Sequence, residues 1–165
     1  MARCRTLLEL LNRDLESLRS GDVGPRIGIG AHLDLLRQRW GGLLTMQGEV
    51  SAEAIAALQE DPVTERRVCG VVEEAIHNAC THGQARAVSV RIDMVQSDSV
   101  KIEVTDDGSG PPSHIRAGHG LDGITGIGGT WRMEARHGGG ASLIAVLPRR
   151  HSEEDSDRAE AALHL

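Results

Sequence analysis

The chain contains no phenylalanine and no tyrosine, and Trp40 and Trp131 are its only aromatic residues. Platforms for single-stranded nucleic acid stack bases on rows of aromatic rings. This chain is not built as one, and its core must be aliphatic. Lysine occurs once, at Lys101, and no dense run of cations appears in a chain of net charge −6. The cationic surface that nucleic-acid binding draws on is therefore missing. Cys4, Cys69 and Cys80 are odd in number and show no C-x-x-C spacing, which points to free thiols in a reducing compartment rather than a disulfide frame. No apolar run approaches the ~20 residues that span a bilayer, and no signal-peptide core opens the sequence. The expectation is a cytoplasmic chain that makes no membrane contact along this stretch.

What is present suits one compact domain with flanking structure: 165 residues, of which 39% are hydrophobic. Residues 6–19 carry Leu8, Leu11, Leu15 and Leu18 at helical spacing. A Gly/Pro loop over 20–30 leads to a second expected helix, Ala31–Trp40, stopped by Gly41-Gly42. A strand is expected over Leu43–Val50. Ser51 can cap a short helix through about Leu58. Asp61-Pro62 then supplies an N-cap and a proline at the first position of a long helix, Pro62–His82, ended by Gly83. Val88, Val90, Ile92 and Met94 alternate with polar residues, as do Val100, Ile102 and Val104, which predicts a hairpin turning at Gln96–Ser99. Asp106–Gly129 is rich in glycine and polar residues, without strong periodicity. Thr130–Arg136 and Ala141–Leu147 read as two more strands, joined at His137–Gly140. Residues 151–165 start acidic and read as a tail. Helices followed by mostly antiparallel strands define the expected fold class, α/β, as a two-layer sandwich with the helices on one face of the sheet.

Three local patterns carry chemistry. On the long helix, Val68, Val72, Ala75, Ile76 and Ala79 cluster on one side, while Glu74, Asn78 and His82 follow one another at i, i+4 and i+8. A carboxylate and an amide oxygen one turn apart can hold Mg²⁺ or its waters. The same pattern also suits an ordinary amphipathic helix with a solvated polar face, although asparagine is a poor mid-helix residue. The second pattern is Asp106-Asp107-Gly108-Ser109-Gly110, directly after a strand. A carboxylate there can accept a hydrogen bond from an exocyclic amine such as adenine N6, and glycines let backbone approach a ligand. It also reads as a plain glycine-rich turn, but not as an EF-hand, whose alternating acidic ligands and distant glutamate it lacks. The third is Gly118-His119-Gly120-Leu121, whose backbone N–H groups could cradle phosphate or form a loop. The G-K-[ST] ending of a P-loop is absent.

In this order and spacing, Glu74-x-x-x-Asn78-x-x-x-His82, Asp106-x-Gly108-x-Gly110 and Gly118-x-Gly120-Leu121 resemble the N, G1 and G2 boxes of the Bergerat-fold ATPases. The short, hairpin-joined spacing is most similar to the catalytic, ATP-binding domain of sensor histidine kinases of the nitrate-sensor and desaturase-sensor type. Shared details are E-A-I-H-N-A-C-T-H, G-H-G-L-x-G, the G-G-T before a strand and the G-G-G turn before A-V-L-P, over about residues 31–148. The resemblance implies ATP and Mg²⁺ as ligands. Asn78 would ligate the metal, with Glu74 orienting water at the metal and the γ-phosphate. His82 and His119 would lie near the phosphates. Asp106 would bind adenine N6 in a pocket shaped by Gly108 and Gly110, Gly118 and Gly120 would hinge a lid, Pro111–Ala117, over the triphosphate, and Leu121 would belong to the same nucleotide-binding set.

It further implies a division into residues 1–30, a helical segment and linker at the end of a dimerisation region; 31–150, the catalytic domain; and the tail. Expected partners are a dimerisation and phosphoacceptor region in the full-length chain or another chain, a response regulator downstream, and a second copy in a homodimer. The location would be cytoplasmic, either free or as the cytosolic part of a membrane-bound sensor. Two departures stand out. None of the eight histidines is followed by Asp or Glu, so no phosphoacceptor is evident. Only Ile124–Ile127 separate Gly123 from Gly128, so the helix that relatives carry there is expected to be missing or cut to one turn. Two other readings compete with a kinase domain: an anti-sigma-factor type of serine kinase and binding protein, to which the T-H-G ending of the N box is similar, and a degenerate nucleotide-binding domain used for docking.

Overall fold

A computed structural model describes residues 27–111 and 119–149. The expected helix over 6–19, nearly all of the expected lid, Gly118 and the tail lie outside them. The described chain runs α1 (Ile29–Trp40), β1 (Thr45–Val50), α2 (Ala52–Glu60), α3 (Pro62–Thr81), β2 (Ala87–Val95), β3 (Ser99–Asp106), α4 (His119–Gly126), β4 (Thr130–Ala135) and β5 (Ala141–Pro148).

The helices start where capping chemistry permits. Ser51 Oγ accepts the Ala54 N–H at 3.2 Å, opening α2. Asp61 opens α3 with both carboxylate oxygens: Oδ1 accepts the Thr64 N–H at 3.0 Å and Oδ2 the Thr64 hydroxyl at 2.6 Å. Such caps satisfy main-chain donors that the first helical turn leaves without partners. The residue before α1, Gly28, has no capping side chain. Instead the buried Glu65 of α3 accepts the Ile29 N–H at 3.1 Å, so the start of α1 is fastened to α3 across 36 positions of sequence.

The five strands form one sheet in the order β1-β2-β3-β5-β4. Three pairings are antiparallel, and β1 pairs with β2 in parallel. The parallel pair follows from the connection, because α2 and α3 carry the chain from the end of β1 back to the start of β2, a crossover rather than a hairpin. Val88, Val90 and Ile92, Val100, Ile102 and Val104, and Leu143, Ala145 and Leu147 are all buried on one face of the sheet. Val68, Val72 and Ile76 of α3, each fully buried, belong to the same core. The opposite face carries ion pairs, Arg91–Glu49 across β2 and β1 at 3.0 Å and Lys101–Glu103 along β3 at 3.1 Å. Such exposed pairs contribute little to stability, and they keep that face wet. Arg37 of α1 donates from Nε to the Met46 carbonyl at 3.2 Å, giving an edge-strand carbonyl of β1 a partner. The expected two-layer α/β sandwich, mostly antiparallel, is what forms.

A helix not legible in the sequence, α4, spans His119–Gly126, but it runs only three residues past Gly123, so the segment between Gly123 and Gly128 adds about one turn. Its glycines lower helix propensity by ~1 kcal/mol each, which is why no helix is legible there. Burial offsets that cost, since Leu121 and Ile124 are 1% and 2% exposed. The helix closes with Gly128 N–H on the Thr125 carbonyl at 3.1 Å and Gly129 N–H on the Ile124 carbonyl at 2.9 Å.

Between α1 and α3 the Trp40 ring meets the His77 ring edge-on, with centroids 6.4 Å apart and planes at 76°. Burial holds the His77 pKa below its ordinary 6.5, with Glu74 opposing and His82 and Arg39 adding to the shift. His77 is therefore neutral in the fold at pH values where the unfolded chain already protonates it. Just below 6.5 the unfolded state binds more protons, and stability falls as pH falls. Urea denaturation between about pH 7 and about pH 5.5 is expected to show this decline, and His77→Phe, which keeps a ring against Trp40, to flatten it. Equal slopes in the two proteins would remove His77 as the cause.

Candidate functional site

The motif residues meet at a cavity of about 350 Å³. α3 lines it with Ala75, Asn78, Ala79 and His82, positions i, i+3, i+4 and i+7 of one helical face. The alanines leave the space open where larger residues would fill it. Glu74 is not part of the lining. It stands one turn before Asn78 and accepts that residue's Nδ2–H on Oε1 at 3.1 Å. This bond orients the amide: its nitrogen faces Glu74, and its Oδ1 has no partner among the described residues. His82 ends the helix, its N–H on the Asn78 carbonyl at 2.9 Å, and its exposed side chain lines the cavity rim.

Opposite α3, β3 delivers Val104 and Asp106. Asp106 is a carboxylate only 9% exposed, and burial of a charge requires hydrogen bonds. Its Oδ1 accepts the Gly108 N–H at 2.8 Å and the Ala141 N–H at 3.3 Å. Its Oδ2 takes no hydrogen bond from the described residues. Asp107 does something else. Its Oδ1 accepts the Ala87 N–H at 2.9 Å and the Arg86 N–H at 2.7 Å. Those bonds, Ala87 first and then Arg86, hold its carboxyl below the usual range. The neighbouring aspartates thus divide, one lining the cavity and the other fastening the start of β2.

Two glycines make this packing possible. Gly108 does not line the cavity; a Cβ there would lie 2.4 Å from the Gly83 carbonyl oxygen. The loop instead docks on the turn that ends α3, with Ser109 N–H on that same carbonyl at 2.8 Å. From the other side, Gly140 has φ +87°, and a Cβ there would lie 1.9 Å from the Asp106 carbonyl oxygen. Gly110 and Leu121 line the cavity, as do Met133, Ala141 and Leu143. His119 and Gly120 are the first residues of α4, and Gly118 lies outside the described residues.

The walls are thus largely aliphatic, with Asn78, His82, Asp106 and Ser109 as polar exceptions. A flat apolar ligand carrying a hydrogen-bond donor would complement Asp106 Oδ2. Among the described residues no three His, Cys, Asp or Glu side chains converge on one point. Glu74 and Asn78 offer hard oxygens one turn apart, a partial set of the kind Mg²⁺ accepts when phosphates and waters complete its shell. A separate recess of about 310 Å³ on the helix-free face, lined by Ser89, Arg91 and Glu103 among others, contains none of the motif residues.

The wall residues Met133 and Leu143 fall on the buried phase of strand alternation, so the sequence carried a signal for them. Arg136 and Gly140 gave no such signal. Arg136 Nη1 donates to the Asp106 carbonyl at 2.8 Å across 30 positions, a link no local pattern encodes.

A two-layer α/β sandwich with a mixed five-stranded sheet and a cavity between its long helix and the end of a central strand is a fold of the Bergerat kind. The chain belongs to the histidine kinase-like ATPase domain family, whose model matches residues 31–156. No curated protein sequence matches it. Among solved structures it is similar to the histidine kinase domain of the Erythrobacter litoralis EL346 blue-light activated histidine kinase, with a TM-score of 0.56 at 18% identity over 89% of this chain and 75% of that one. The ATP binding domain of PrrB from Mycobacterium tuberculosis gives a TM-score of 0.51 at 22% identity, over 76% of this chain and 96% of that one. Full-length ShkA, solved with AMPPNP, gives 0.54 at 19% identity, over 88% of this chain and 36% of that one.

The Gly140 packing yields a test. Gly138 also has positive φ, +97°, but a Cβ there meets nothing within 4 Å. Gly138→Ala should therefore cost only backbone strain, ~1 kcal/mol. Gly140→Ala adds a clash with Asp106 and is expected to cost ~3 kcal/mol or more in urea denaturation. Similar losses in the two variants would contradict the close approach.

Proposed function

We propose that this domain binds ATP·Mg²⁺ and serves as the catalytic part of a two-component sensor histidine kinase. It would present the γ-phosphoryl group to a histidine on a dimerisation helix of the full-length chain or of a partner, with a response regulator downstream. The observation that carries the reading is Asp106: a buried carboxylate with one oxygen bound to main chain and the other without a donor among the described residues, in a largely aliphatic cavity. The adenine 6-amino group is a donor of the right kind, and the aliphatic walls suit the faces of a purine.

Asn78 and Glu74 would hold Mg²⁺, the first through its Oδ1, which has no partner among the described residues, and the second directly or through water. When bound, the metal neutralises charge on the β- and γ-phosphates. Glu74 keeps the Asn78 amide turned so that oxygen rather than nitrogen is presented. His82, at the rim, is placed to meet a phosphate group. The chain's own contribution is positioning and charge stabilisation rather than covalent chemistry. The docking-module reading drew on a shortened segment after Gly123. Only three residues of α4 follow Gly123, but Leu121 and Ile124 of that helix are buried, which favours an intact nucleotide pocket.

Asp106→Asn is the sharpest test. The amide can still accept the Gly108 and Ala141 N–H groups through its oxygen, while its NH₂ would face the adenine donor. Titration with a fluorescent ATP analogue is expected to show binding weakened by ~1.5–3 kcal/mol, the contribution of a hydrogen bond to a charged group. Equal binding by both proteins would remove Asp106 from the pocket. In the same titration Asn78→Ala should bring affinities measured with Mg²⁺ and with a chelator close together, and a preserved difference would place the metal elsewhere.

A further inference from the structure

The β3–β5 ladder ends one rung early. Its last antiparallel pair is Thr105 with Ser142, and the same register would next oppose Asp106 to Ala141. At that position the Ala141 N–H bonds the Asp106 side chain, at 3.3 Å to Oδ1. The Asp106 carbonyl takes its hydrogen bond from Arg136 Nη1, at 2.8 Å. Arg136 is held in turn by the β4–β5 hairpin, with its N–H on the Gly140 carbonyl at 3.0 Å and its own carbonyl accepting the Gly139 N–H at 3.2 Å. Gly140 has no side chain to block the approach; a Cβ would sit 1.9 Å from the Asp106 carbonyl oxygen.

Arg136 does not line the nucleotide cavity. It lines a different recess, of about 210 Å³, together with Thr45, Gln47, Ser89, Thr105 and Asp107, and Asp106 borders both. The aspartate is therefore a partition, facing the nucleotide cavity on one side and Arg136 on the other.

We propose that Arg136 is a positioning residue for base recognition: it replaces the missing rung, fixes the backbone of Asp106 and so aims Oδ2 at the exocyclic amine of the purine. This rests on the reading of the cavity as an adenine site. Arg136 lies outside the cavity lining, so its loss should act on discrimination between bases that carry a 6-amino group and bases that lack it.

The experiment compares ATP with purine riboside 5′-triphosphate, which lacks only that amine, by calorimetric titration of the full chain with Mg²⁺. Wild type is expected to prefer ATP by about tenfold or more, the lower end of what a hydrogen bond to a charged acceptor provides. Arg136→Ala should bring this preference close to one by weakening ATP while leaving the analogue's affinity unchanged. Arg136→Lys, which keeps the charge and a donor, should recover part of the preference, and it serves as the test if the alanine variant does not fold. A purely structural role would weaken both nucleotides equally, and that result, or an unchanged preference, overturns the proposal. If wild type binds both nucleotides equally, the Asp106 reading fails with it; if wild type binds neither, the nucleotide site itself is wrong.

Discussion

A carboxylate can sit at the margin of an aliphatic core only if its oxygens and its backbone are provided with donors. Asp106 meets that condition through one local contact, Gly108 in its own loop, and two distant ones, Ala141 and Arg136 on the β4–β5 hairpin. The Gly83 carbonyl, which accepts the Ser109 N–H, ties the same loop to the end of α3. The end of the long helix, the loop after β3 and the last hairpin are thus fastened around one residue. The cavity is the space those three segments leave, and its shape depends on their staying together.

α3 serves both layers of this arrangement. Val68, Val72 and Ile76 build the core while Ala75, Asn78 and Ala79 line the cavity. The site is therefore no more stable than the core beneath it, because no separate loop carries its polar groups. Small residues on the cavity side keep the helix amphipathic in an unusual sense: one face is filled by branched side chains, and the other is kept empty by alanine. Glu74 adds nothing to the walls, but without it the Asn78 amide would have no fixed orientation.

Much of the fold was legible because its signals are local. Ser51 and Asp61-Pro62 mark helix starts by capping chemistry, and Val88 to Met94 and Val100 to Val104 mark strands by alternation. What alternation cannot state is strand direction, so the parallel β1–β2 pair emerged only from the crossover through α2 and α3. The helix α4 escaped because glycine weakens the local signal while Leu121 and Ile124 draw their stability from distant partners. In the site, the grouping of Asn78, His82, Asp106, Gly110 and Leu121 around one cavity agrees with the motif order. The division of labour between Asp106 and Asp107 was not readable, since it depends on which way each side chain leaves the end of a strand. Arg136 was beyond reach, being brought to Asp106 by the register of two strand pairs.

The scarcity of aromatic residues has an optical consequence. With no tyrosine or phenylalanine, near-ultraviolet absorbance and intrinsic emission come essentially from two indoles. Trp40 is 3% exposed, in the seam between α1 and α3, while Trp131 is half-buried on β4, two residues before the cavity-lining Met133. The molecule therefore carries one chromophore at the joint between α1 and α3 and another on an edge strand beside its pocket. Loosening of the helical layer and repacking of the cavity wall would register in different chromophores of the same unlabelled chain.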